Sequence, residues 1–129
     1  MSTDSAKEAG GARLWLGEDG ILRCICQPGI AIELSAAKEQ TDTAKSLSGD
    51  KHRPILVDIR DIRFIDKESR THYSSQEIAD GFVATGLVVG SPVSRMIGTF
   101  FLGLNKALLP TKIFSNEAEA IEWLKQYVD

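Results

Sequence analysis

Long apolar runs are missing from this chain. No stretch of about 18 residues is apolar enough to cross a bilayer, and the opening MSTDSAKEAGGAR holds nothing that reads as a signal peptide. A soluble, cytoplasmic protein with no integral membrane segment is expected. Cysteine is scarce as well. The two present, Cys24 and Cys26, stand two apart in ILRCIC, where strand geometry points both to one face and disfavours a bridge between them. They read as small buried hydrophobes. A metal site would need further ligands, and His52 and His72 lack the close pairing of zinc ligands, so neither metal nor cofactor is expected. Charge of one sign does not dominate either. Lys+Arg 15 against Asp+Glu 18 gives a formal net charge of -3, a field that repels a phosphate backbone and disfavours nucleic acid. Catalytic signatures are absent: neither G-x-S-x-G nor H-E-x-x-H occurs, and no enzyme is expected.

What is present is enough for one domain. The chain has 129 residues, 43% of them hydrophobic and 26% charged. Residues 1–12 mix small and charged types without period and read as a disordered leader before a domain spanning 13–129. RLWLG and ILRCIC, separated by Glu18, Asp19 and Gly20, predict a β-hairpin, with Leu14, Leu16, Leu22, Cys24 and Cys26 facing one way and Trp15, Arg23 and Ile25 the other. Ser35 is placed to cap a helix that runs to Gly49 with a thin apolar stripe of Ala37, Ala44 and Leu47. PILVDI reads as a strand buried on both faces. KESRTHYSSQEIAD has helical length but little apolar content, so its polar series of Ser69, His72, Ser75 and Gln76 predicts an exposed face. FVATGLVV is a further strand, SRMIGTFFLGLN a very apolar helix, TKIF a short strand and EAEAIEWLKQYV the last helix. The order ββαβαβαβα predicts a single-domain α/β fold, a mostly parallel, mixed five-stranded sheet with four helices.

Three places could carry function. Ser91, Pro92, Val93, Ser94 and Arg95 join a strand end to a helix start, where backbone N–H groups, Ser94 and Arg95 could hold an anion or nucleotide; the same residues read equally as a capped helix with Pro at its first position. Glu68 and His72 fall on one helical face and could form an acid/base pair or a surface pair without chemistry. Phe100, Phe101 and Leu102 are consecutive, and successive helix positions diverge by about 100°, so a sheet on one side cannot cover all three. A second copy, an apolar ligand or intramolecular cover from residues 106–110 and the last helix would complete them.

With PILVDIRDIRFIDKES at its centre, the order of elements resembles the STAS domain, the SpoIIAA-like, anti-sigma-factor-antagonist fold. In that family a strand ends in Asp, and an Asp-Ser-Ser-Gly sequence follows with a phosphorylatable Ser at the next helix start. Asp58 matches the strand-end acid and Asp66 the first motif residue. Lys67, Glu68 and Ser69 stand where Ser, Ser and Gly would be, so a carboxylate, resembling a fixed negative charge, occupies the phosphoacceptor position. GLVVGSPVSRMIGTFFLGLN and PTKIFSNEAEAIEWLK are also similar to small bacterial proteins described as STAS or lipid-carrier-like. The resemblance implies a non-enzymatic regulatory or protein-interaction module, with Asp66, Glu68, Ser69, His72 and Tyr73 as a partner surface; a homodimer is expected from the Phe100, Phe101 and Leu102 run. The alternative is a small-ligand carrier or sensor, binding an apolar molecule at the Phe100 helix or an anion at Ser91, Ser94 and Arg95.

Overall fold

Two successive glycines begin the fold. In the computed structural model, which describes residues 6–105 and 108–128, Gly10 and Gly11 both take positive φ (55° and 73°). That pair makes a two-residue hairpin turn, which needs φ above zero at both central positions. Strand β1 (Lys7–Ala9) therefore folds back antiparallel on β2 (Ala12–Leu16). Part of the expected leader is thus an edge strand, and the sheet has six strands instead of five; residues 1–5 lie outside the described residues.

The hairpin from β2 to β3 (Leu22–Cys26) is as predicted, with Gly20 at positive φ and Asp19 Oδ1 accepting from the Ile21 N–H. Next come β4 (Ala31–Ile32), α1 (Leu34–Ser48) and β5 (Arg53–Asp58). Helix α1 begins one residue before Ser35, because the Ala37 N–H already closes a turn on the Glu33 carbonyl; Glu33, not Ser35, holds the cap position. Strand β6 (Phe64–Ile65) pairs in parallel with β4 as a separate two-stranded ladder.

The predicted second helix is two helices, α2 (Lys67–Tyr73) and α3 (Gln76–Gly81). The break falls at Ser74, whose Oγ donates to the Arg70 carbonyl at 2.8 Å, and Ser75 starts the next helix. Serine competing for backbone groups is a known helix breaker. Strand β7 (Phe82–Val88), α4 (Pro92–Asn105), β8 (Thr111–Phe114) and α5 (Glu117–Leu124) complete the chain, with a 3-10 turn at Lys125–Tyr127. The main sheet runs β1-β2-β3-β5-β7-β8, parallel from β3 onward.

Strand alternation separates two cores. One sheet face sends Leu14, Leu22, Cys24, Ile55 and Leu87 toward Ala37 and Ala44 of α1, Ile78 of α3, and Ile97 and Phe101 of α4. The other sends Ile21, Leu56, Ala84 and Val88 under Ala120 and Leu124 of α5. The helix-covered face with α1, α2 and α4 is where the candidate residues gather.

Candidate functional site

Asp66 caps α2, its Oδ1 accepting from the Ser69 N–H at 2.8 Å; that bond, with the Ser69 hydroxyl's own, holds its carboxyl below the usual carboxylate range. With Asp66 as cap, Ser69, His72 and Tyr73 turn inward. Ser69 is buried, and its Oγ lies 3.4 Å from the Ile32 carbonyl of β4. His72 is buried against α1, its Nε2 2.8 Å from Thr41 Oγ1. Since the Thr41 hydroxyl proton points to the Ala37 carbonyl at 3.0 Å, the imidazole N–H is the donor of this bond. The Tyr73 hydroxyl donates to Gln40 Oε1, and Gln40 Nε2 donates to the Gly10 carbonyl at 2.8 Å.

The exposed polar face expected here is therefore mostly an interior one. Asp66 is half-buried, and Glu68 alone of the five proposed partner residues is exposed. The physical reason is that α1 is polar at the matching positions: Gln40 and Thr41, buried beside Ala37 and Ala44, accept and donate what α2 offers. The sequence signal for this was the polar pair inside the thin apolar stripe of α1.

Burial shifts the titratable groups at this contact. Desolvation lowers the His72 pKa and pushes the Tyr73 hydroxyl well above its usual value. Cys24 is pushed well up by the thiol–thiol contact with Cys26 and by burial. Burial thus favours the neutral form of all three. Among the described residues no group of three or more His, Cys, Asp and Glu is placed to hold a metal ion. Beneath the contact lies a cavity of about 70 Å³ between sheet and helices, lined by Cys24, Cys26, Gln40, Ala44, Tyr73 and Phe101 among others.

The start of α4 is tied to the protein itself. Ser91 Oγ accepts from the Ser94 N–H at 3.1 Å, the capping geometry of a helix with Pro92 first. Ser94 is fully buried: its hydroxyl lies 3.1 Å from the Arg60 carbonyl and accepts from the Gly90 N–H at 2.9 Å. Arg95 Nε donates back to the Gly90 carbonyl at 3.2 Å. Asp58, the acid at the end of β5, is buried and held by the Arg60 side chain, with Nη2 to Oδ2 at 2.7 Å. The polar groups that were to meet an anion meet this loop.

The three consecutive residues of α4 divide. Phe101 is 4% exposed and packs edge-on to Tyr73, ring centroids 5.9 Å apart, so it is core. Leu102 is half-buried. Phe100 is 46% exposed, with the Arg70 guanidinium 5.5 Å from its ring centroid. Val93 and Met96, the latter 67% exposed, share the outward side with Phe100 at helical spacing of three and four. Phe64 and Leu108 are the other large exposed apolar side chains among the described residues. Val93, Met96, Phe64 and Leu108 were missed as exposed apolar residues, although 93, 96 and 100 carry a helix-period stripe in the sequence. Lys106, part of the loop expected to cover it, lies outside the described residues.

A family described as "Domain of unknown function (DUF7793)" matches residues 14–128. A structure of an uncharacterized protein from the DUF3478 family of Shewanella loihica PV-4, with a SpoIIAA-like fold, superimposes with a TM-score of 0.60 at 14% identity, covering 96% of this chain and 98% of that one. At that identity the likeness is one of fold, and the expected SpoIIAA-like architecture is present. A protein of unknown function from Arthrobacter sp. FB24 is 31% identical over 94% of this chain and 97% of its own, with a TM-score of 0.36. No protein of curated function matches. No helix among the described residues is long and apolar enough to cross a membrane.

Proposed function

We propose, given that this chain belongs to the DUF7793 family, that it is a non-enzymatic protein-interaction module whose docking face is the outward side of α4. What carries the reading is the exposure of Met96 and Phe100 on one helix face, beside Val93. Burying one such side chain on association contributes about 1.5–3 kcal/mol, and contiguous exposed apolar side chains mark contact surfaces. His72 and Tyr73 are turned into the protein and paired with Thr41 and Gln40, which supports a reading without catalysis. A regulatory role of the kind implied by the STAS resemblance would act through that contact. A photo-crosslinking amino acid at Met96, expressed in the native cell, tests it against the same group at exposed Lys38 on α1. A protein adduct from position 96 and none from position 38 is expected; no adduct, or equal adducts, would end the reading.

A second reading has one observation of its own. The cavity beneath Tyr73 and Phe101 is lined mostly by carbon, and the side-chain amide of Gln40 and hydroxyl of Thr41 at its wall are already paired. Such a space suits a small uncharged apolar molecule.

A further inference from the structure

We propose that the face on α4 receives an acidic amphipathic helix of a different protein, an inference that rests on the reading of α4 as the docking face. The five large exposed apolar side chains among the described residues, Phe64, Val93, Met96, Phe100 and Leu108, come from α4, the loop after it and the strand leading into α2. A stripe at 93, 96 and 100 is the spacing at which one helix packs its ridges against another.

Charge selects the partner. Segments 63–73 and 91–105 hold four basic residues, Arg63, Lys67, Arg70 and Arg95, against Asp66 and Glu68, in a chain whose net charge is -3. Asp66, the ionised cap of α2, offsets part of this charge and lies within reach of Arg70's field, whereas α4 has Arg95 and no acid. Arg70 sits over Phe100, where its guanidinium borders the apolar stripe and presents N–H groups suited to a carboxylate.

A second copy fits less well. Two-fold pairing of this face would bring the Arg70 and Arg95 of both copies into one interface with no acid on α4 to receive them. An anionic bilayer is held by clusters of about four to eight basic side chains close to its surface, and here Arg63, Lys67 and Arg70 are interleaved with Asp66 and Glu68. A single acidic helix laid along the stripe meets Arg70 where it borders Phe100.

The test is selection from a phage-displayed library of random helical peptides against the wild-type chain, with counter-selection against Phe100→Asp. Enriched peptides are expected to carry apolar residues at i, i+3 or i+4 flanked by Glu and Asp. Their affinity should fall about tenfold in Arg70→Glu, as for loss of a charge pair at an interface. Met96→Asp serves as a second counter-selecting variant should Phe100→Asp lose its circular dichroism signal. Enrichment of basic or neutral peptides, or no peptide that distinguishes wild type from the variants, overturns the proposal. So does a dimer in sedimentation that Met96→Asp abolishes, or Phe100-dependent binding to phosphatidylglycerol vesicles. If position 96 crosslinks to protein in cells while the library favours basic peptides, the docking face stands and its acidic partner falls; if nothing crosslinks, both fall.

Discussion

Thr41 and His72 join α1 to α2 by a hydrogen bond of 2.8 Å made inside the protein, with the neutral imidazole as donor. Around the ring stand Glu77 and Asp42, which favour its charge, and Lys38 and Lys45, which oppose it; burial is the largest influence and lowers the pKa below the ordinary 6.5.

A pH dependence of stability follows. As pH falls below about 6.5 the unfolded chain protonates His72 first, while the folded protein resists until its own lower pKa is reached. The stability held by neutral His72 is complete above that window and is lost within it. Urea midpoints measured from pH 7 to pH 5 should fall more in wild type than in His72→Gln, which keeps a donor for Thr41 but does not titrate. Equal slopes would remove His72 as the cause.

Phe100 and Phe101 should behave as opposites despite being adjacent. Phe101→Ala empties a core position and should cost about 3–5 kcal/mol in denaturant unfolding. Phe100→Ala, at an exposed position whose main partner is the Arg70 guanidinium, should cost no more than about 1 kcal/mol. Comparable losses would contradict the assignment of faces.

The hairpin turn between β1 and β2 has no room for a side chain. A Cβ at Gly10 would collide with the Ala36 carbonyl oxygen of α1, at a positive φ that L residues rarely adopt. Gly10→Ala should therefore destabilise by at least about 1 kcal/mol, read from thermal unfolding. Gly29→Ala, also at positive φ but with open space around it, should cost less.

Ser69 should carry no phosphate. It is fully buried under the Ile32 carbonyl, and its N–H belongs to the Asp66 cap. Intact-mass and fragment analysis of protein from the native cell should find position 69 unmodified, including in Glu68→Ser, where the new exposed hydroxyl would be the one available to a kinase. Phosphate localised to Ser69 would show that α2 opens.

For the cavity, saturating benzene should raise the Tm of wild type, since a ligand that binds only the folded state stabilises by mass action. Ala44→Val, which fills part of the space, should reduce that shift. An unchanged Tm in wild type would remove the apolar-ligand reading.

Much of the fold was legible because its signals are local. Asp19 and Gly20 announce their hairpin, and the unbroken Ile55, Leu56 and Val57 announce a central strand. β1 was legible in principle through Gly10 and Gly11, yet its three residues have too little apolar content to signal a strand; they become one by pairing with β2. The site was harder. That Ser94 would be buried depends on the Arg60 carbonyl 34 positions earlier reaching its hydroxyl.

The sequence by itself determined the main succession of strands and helices, the two-sided burial of β5 and the apolar face of β3 bearing Cys24 and Cys26, since each rests on residue spacing within one element. Only the tertiary structure decided which polar residues of α2 are interior and which apolar residues of α4 are not. His72 is buried because Thr41, 31 positions away, offers a partner that water would otherwise supply. Phe100 is exposed because Tyr73 and the sheet take up Phe101 and leave its neighbour turned outward. A helix's own sequence sets the angle between its side chains, and the elements packed against it set which angle faces the core.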